Sequence, residues 1–167
     1  DALGYLPLLR HTPTGKSFPA LIAAVTDTSG RLITVQRTWL AKDGSGKAPI
    51  QPAKMHASSP GNGAVQLAPA QPILGIAEGV ETALSAKQLY QIPVWATLSA
   101  NRLGVIELPP IVESIVIFAD HGKVGMEEAI KAAEVYEAQG KTVDVMPPRV
   151  HFGEQHSDFN DCVRVHT

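Results

Sequence analysis

The sequence predicts an α/β protein: a four-stranded parallel sheet flanked by helices, preceded by a small N-terminal β-hairpin subdomain. Three observations predict it. Short apolar strands alternate with amphipathic helices from Ile73 onward, residues 114–119 (SIVIFA) are continuously apolar, and two strand-like segments near the N-terminus are joined by the turn-forming cluster Thr26-Asp27-Thr28-Ser29-Gly30. Alternating strands and helices build a parallel sheet covered on both sides by right-handed crossovers. A continuous apolar run is the pattern of a strand buried on both faces. A chain of 167 residues holds one ordinary domain, or a domain with a small appendage. The change of pattern divides it into a basic β-rich segment, 1–71, and an α/β domain, 72–167.

Taken in order, residues 21–25 and 32–39 are β-branched and apolar, and the Asp and Gly between them suit a hairpin. Residues 42–63 turn to Gly, Ser, Pro and Lys with no period, which predicts a long loop before a short strand at 64–67. Residues 73–77 form the next strand. Val80, Ala83 and Leu84 fall at helical spacing in 80–90, and Pro93 interrupts before a strand at 94–98. A short helix is expected around 102–106, then the strand at 114–119. In 125–139, Met126, Ala129, Ile130, Ala133 and Tyr136 share one stripe that Gly140 stops, and a last strand spans 143–146 before Pro147-Pro148.

Composition excludes several classes. Hydrophobic residues make up 44% and charged residues 18% of the chain, ample for a core and contrary to global disorder. No apolar run approaches the ~20 residues of a membrane helix. Cys162 is the sole cysteine, so neither an internal disulfide nor a Cys-rich zinc site is open to the chain, and a cytoplasmic location is expected. Charge is uneven. Residues 1–77 carry seven Lys/Arg against three acids, net +4, and the remainder carries −6. That is the asymmetry of a part that holds a polyanion beside a part that holds cations.

Some motifs fail. Thr14-Gly15-Lys16-Ser17 lacks the earlier glycine of a P-loop, since position 10 is Arg, and Gly61-Asn62-Gly63 is followed by Gln66 and a strand instead of a helix. His151 and His156 lack the fixed spacing of a zinc signature and read as a surface loop.

Two acids stand where an open parallel sheet gathers its ligands, at the carboxyl ends of strands: Glu78 after residues 73–77 and Asp120 after SIVIFA. Carboxylates are the hard ligands that Mg²⁺ or Mn²⁺ takes, one or two per ion, with water and phosphate oxygens completing the shell. Glu81, one turn further on, either joins them as a ligand or serves only as an acid favoured at a helix start.

The segments Ala77-Glu78-Gly79-Val80-Glu81-Thr82-Ala83 and Phe118-Ala119-Asp120-His121-Gly122, through Gly125, resemble the Toprim domain shared by bacterial primases, topoisomerases and some nucleases. Ser157-Asp158-Phe159-Asn160-Asp161 is similar to the acidic closing segment of primase-type members. Residues 20–40, with Gly46-Lys47-Ala48-Pro49, look like the segment that precedes Toprim in DnaG-like primases of phages, plasmids and other mobile elements.

The resemblance implies a Toprim-like, Rossmann-like sheet with a divalent-metal site at its carboxyl edge. Glu78 and Asp120 would be catalytic. Glu78, Asp120, Glu81, Asp158 and Asp161 would be the candidate ligands of Mg²⁺ or Mn²⁺. Asp120 would open the family's Asp-x-Asp motif, from which this chain departs because position 122 is Gly. The implied enzyme is a DNA primase-type nucleotidyltransferase that makes RNA primers on a single-stranded DNA template from ribonucleoside triphosphates. A helicase domain or protein would be its partner, and no membrane is involved. Arg31, Arg37, Lys42, Lys47, Lys54 and Lys123 would contact nucleic acid or nucleotide through sequence-independent phosphate contacts. A Toprim nuclease, and a non-catalytic nucleic-acid-binding module with a degenerate metal site, are the alternatives.

Overall fold

The computed structural model describes residues 1–120, 122–148, 159 and 163. Two sheets share the chain. The first is antiparallel, in the order β1 (Leu3–Arg10), β2 (Ser17–Thr26), β3 (Leu32–Trp39) and β4 (Lys54–His56). The second contains β5 (Val65–Gln66), β6 (Ile73–Ala77), β7 (Val94–Ala96), β8 (Ser114–Phe118) and β9 (Thr142–Met146) in the order β5-β7-β6-β8-β9. Strands β7, β6, β8 and β9 are mutually parallel, as the sequence predicts, and β5 adds an antiparallel edge against β7. Helix α1 (Val80–Tyr90) links β6 to β7, and α2 (Lys123–Glu137) links β8 to β9.

Strand periodicity divides the core between the two faces of the second sheet. Leu74, Ile76, Ile115 and Ile117 face one side with Trp95, Leu103, Ala129 and Tyr136. Ala77 and Phe118 face the other with Val80, Ala83, Val94 and Phe159, where Ala23 and Val25 of β2 join them. The two sheets therefore share an apolar cluster. Full burial of each large side chain contributes about 1.5–3 kcal/mol. Gly75 lies where a Cβ would come within 2.6 Å of the Phe118 ring and 2.8 Å of Val94. Absence of a side chain on β6 thus lets Phe118 lie across it.

Four elements differ from expectation. Strand β1 is an additional edge strand whose large side chains Tyr5, Leu6 and Leu8 are exposed. Its alternation is broken around Pro7, where the register with β2 shifts between Leu6 and Leu9, as a strand edge permits for a residue without an N–H. The 42–63 loop contains β4, which pairs Lys54, Met55 and His56 with Thr38, Arg37 and Gln36. Three residues are too few to show a period, and the free edge of β3 recruits them. The expected helix at 102–106 is a 3₁₀ turn at Ala100–Arg102, consistent with the cost of nucleating an α-helix over one turn. On α2, Ala129, Ala132, Ala133 and Tyr136 are the buried stripe and Ile130 is 50% exposed.

Candidate functional site

Glu78 and Asp120 follow the ends of β6 and β8, which are adjacent parallel strands in register, Ala77 opposite Phe118. The carboxyl edge of the sheet thus brings the two acids together. The backbone behind Glu78 is pinned by the segment after β7: Thr97 N–H donates to Ala77 O at 2.9 Å and Leu98 N–H to Glu78 O at 2.7 Å. Leu98 takes a left-handed conformation, φ 76°, which costs a non-glycine residue on the order of 1–3 kcal/mol and recurs at functional sites. Asp120 accepts a hydrogen bond from Thr82 Oγ1 at 3.1 Å, from the first turn of α1.

These groups line a cavity of about 370 Å³ with Gly79, Glu81 and Leu98. Its opposite wall comes from the first sheet: Gln36 of β3, Lys54 of β4, and Lys47 from the loop between them. Burial, and then the negative charge of Asp120, push the Glu78 carboxyl above the ordinary glutamate range, while Lys54 and the Ala100 amide pull it back. A carboxyl whose ionisation is opposed by a second acid beside it is relieved by a cation placed between the two. Glu81 differs. Burial pushes its carboxyl up, but the Lys54 hydrogen bond, with further help from the Lys54 and Lys47 charges, holds it below the ordinary range. Lys54 Nζ lies 3.0 Å from Glu81 Oε2 and 2.9 Å from Oε1, and Lys47 Nζ lies 3.7 Å from Oε1.

The remaining basic candidates are elsewhere. Arg31 closes its own turn, its Nε 3.2 Å from Asp27 Oδ2. Arg37 projects from β3 on the face opposite Gln36; its guanidinium sits over Trp39 at 5.4 Å and donates to His56 O at 3.1 Å. Trp39 is core, buried against Ala20 and Ala48 and donating its indole N–H to Leu9 O at 3.1 Å. Lys42 is exposed in a turn, and Lys123, the first residue of α2, pairs with Glu127 at 3.7 Å. Asp158, Asp161, His121, His151 and His156 lie outside the described residues. Phe159, between the two acids in sequence, is buried with its ring 5.3 Å from Phe118 and 6.5 Å from Tyr90.

Among the described residues, no three of His, Cys, Asp and Glu gather as a metal cage. Of the three carboxylates that line the cavity, Glu78 and Asp120 stand at adjacent strand ends, and this pair fits an ion that takes one or two carboxylates and completes its shell with water and phosphate oxygens. Gly122, at the position of the second acid, adopts φ 121° and ψ 162° as the N-cap of α2, a region open essentially to glycine alone. Its departure from the acidic motif is matched by its backbone. Sequence reasoning missed Gln36, Thr82 and Leu98 as cavity residues. Thr82 had a signal, since it stands one turn beyond Glu78; Gln36 and Leu98 reach the site through sheet pairing that the linear sequence does not display.

Residues 73–167, more than half of the chain, match the model of a family described as a Toprim domain. The chain belongs to the Toprim domain family. Residues 1–67 match a second model, described as a domain of unknown function (DUF7146). In architecture this Toprim protein is similar to the primase fragment of the bacteriophage T7 primase-helicase, with TM-score 0.62 and 16% identity, over 95% of this chain and 61% of that one. It is also similar to the E. coli primase catalytic core, with TM-score 0.59 and 16% identity over 95% and 53%. The Aquifex aeolicus primase, comprising zinc-binding and RNA polymerase domains, aligns with TM-score 0.61 and 16% identity over 95% and 41%. The chain therefore spans less than two thirds of each of these structures, and the likeness is one of fold. No curated protein sequence matches it. Among the described residues, no helix is long and apolar enough to cross a membrane.

Proposed function

We propose that this Toprim protein catalyses metal-dependent nucleotidyl transfer in RNA primer synthesis on single-stranded DNA. In this reading residues 1–71 are the basic segment that faces the substrates, and residues 72–167 are the catalytic domain. The observation that carries the reading is the cavity itself, with Glu78 and Asp120 paired on the Toprim sheet and Lys47 and Lys54 facing them from the first sheet. Anion-binding and cation-binding groups thus meet in one space, as a triphosphate with its counter-ion requires.

A bound Mg²⁺ or Mn²⁺ would neutralise phosphate charge and favour in-line attack by a 3′-hydroxyl. Glu78 and Asp120 would hold it, with Asp158 and Asp161 as further candidate ligands. Glu78 has either of two roles at this edge, ligand of the ion or acceptor of the proton from the attacking hydroxyl. Thr82 keeps Asp120 in orientation through its hydrogen bond. The bacteriophage T7 primase-helicase, whose primase fragment is similar in fold, supports a helicase domain or protein as partner, and the function implies a cytoplasmic site of action.

Gly122 favours a second reading, a nucleic-acid-binding module with a reduced metal site, because the position of the second acid is held by a glycine-specific backbone. One experiment separates the two. The protein is incubated with labelled single-stranded DNA, four ribonucleotides and Mg²⁺ or Mn²⁺, and the products are sized on a gel. Short ribonucleotide products that vanish with chelator and in Glu78→Gln are expected. Shortening of the DNA would assign a nuclease, and neither product would leave the binding module.

A further inference from the structure

The charged side chains of the cavity answer groups that every nucleotide carries, its phosphates and their counter-ion, so they bind without choosing. Gln36 is different. It lines the same cavity, is neutral, and is only 5% exposed. On β3 it stands opposite His56, one same-face pair along from Thr38 opposite Lys54. Gln36 and His56 therefore share the face of the first sheet that carries Lys54, two residues or about 7 Å further along the strand. The amide sits beside the charged end of the cavity.

That amide is held at one end only. Gln36 Nε2 lies 3.0 Å from His56 Nε2. An amide nitrogen only donates, so His56 Nε2 accepts and the imidazole is neutral, with its proton on Nδ1. The surroundings favour this form, because burial, and then the Arg102 charge, hold the imidazole below the ordinary histidine range. Among the described residues nothing donates to Gln36 Oε1, and that oxygen is not sealed from solvent. Gln36 thus offers the cavity an acceptor and a further N–H, the complement of a ligand group that both donates and accepts.

We propose that Gln36, oriented by His56, is a specificity-determining residue that hydrogen-bonds a neutral donor–acceptor group of the bound nucleotide. The inference rests on reading the Glu78–Asp120 cavity as a nucleotide site. The shared chemistry is a neutral group carrying both a donor and an acceptor, whether a sugar hydroxyl or the edge of a base. A site that hydrogen-bonds such a group rejects analogues lacking it, because its own half-buried polar atoms are then left unanswered. His56 acts through Gln36 and is a positioning residue.

The test titrates the full chain by calorimetry, in Mn²⁺, with inorganic tripolyphosphate, ATP, 2′-deoxy-ATP, 3′-deoxy-ATP, GTP, CTP and UTP. In wild type at least one change of sugar or base should weaken binding by about three- to tenfold, the range of one neutral hydrogen bond. Gln36→Leu should erase that preference and leave the affinity for tripolyphosphate unchanged. A lost preference for a 2′- or 3′-hydroxyl identifies the sugar as the source, and a lost preference among the bases identifies the base edge; either supports the assignment. His56→Leu should weaken the preference, whereas His56→Gln, whose Oε1 takes the place of the imidazole Nε2, should keep it. Thermal unfolding confirms that each variant is folded. A wild type without any preference, or a folded Gln36→Leu that keeps every one, overturns the proposal. So does an equal loss for tripolyphosphate, which carries neither sugar nor base, and a full preference in folded His56→Leu overturns the positioning role. Failure of wild type to bind tripolyphosphate in Mn²⁺ overturns instead the reading of the cavity as a nucleotide site, and the proposal with it.

Discussion

Gly125 offers a sharp test of how the site is positioned, because substitution there sets two opposing effects against each other. It is the third residue of α2, and an added Cβ would lie 2.6 Å from the carbonyl oxygen of Asp120, 3.2 Å from its carbonyl carbon and 3.5 Å from its Cα. Helix propensity alone would make Gly125→Ala stabilising by about 1 kcal/mol. The contact opposes this, because the obstructing atoms are backbone and cannot swing aside. Overpacking of this kind costs about 1–3 kcal/mol, so the net effect is a loss of up to about 2 kcal/mol. For a chain of this size that lowers Tm by up to about 8 °C. The same displacement moves Asp120, so Mn²⁺ affinity should fall by at least about threefold, converting on the order of 0.7 kcal/mol of lost site geometry. Thermal unfolding and a Mn²⁺ titration read the two effects, with Val124→Ala on the exposed neighbour as control. A raised Tm in Gly125→Ala with unchanged Mn²⁺ affinity would refute the argument.

The other predictions concern the acids and the lysines. The Glu78 carboxyl is raised in the folded chain, so it keeps its proton to higher pH when folded than when unfolded. The stability this gives is full in acid and is lost as pH rises through the folded value. Glu78→Gln should therefore match wild type in Tm at acid pH and exceed it at neutral pH while losing nucleotidyl transfer; a constant difference across the pH series would count against the assignment. Gly122→Asp has open space around its Cβ but a positive φ of 121°, so unfolding should show a loss of about 1–3 kcal/mol, and a variant as stable as wild type would mean that the loop rearranges freely. Five phosphate contacts from the basic segment would give single-strand binding a log–log salt slope of roughly −3.5, whereas the two lysines at the cavity predict roughly −1.4. A slope near the steeper value would show that Arg31, Arg37 and Lys42 also take part.

Much of this arrangement is legible in the sequence because it depends on local pattern. The continuous apolar run of β8 and the helix–strand alternation around it require a parallel sheet, and strand ends then place Glu78 and Asp120 without further information. Elements held by long-range pairing were hidden. Strand β4 exists because β3 has a free edge, and β1 is obscured by Gly4 and Pro7 on an exposed rim. The roles of the lysines were hidden for the same reason. Lys47 and Lys54 look like Lys42 in composition, and only the fold separates them by turning β4 toward α1. Glu81 was ambiguous because helical spacing places it near Glu78 but does not show which charge answers it.

The most direct measurement follows Mn²⁺ binding by electron paramagnetic resonance in wild type, Glu78→Gln and Asp120→Asn at neutral pH. If the two strand-end carboxylates share one cation, wild type binds Mn²⁺ and each variant loses affinity by at least about tenfold, about 1.4 kcal/mol, with Tm equal to or above that of wild type for Glu78→Gln. Wild-type affinity in both folded variants would contradict the account and move the metal site away from the ends of β6 and β8.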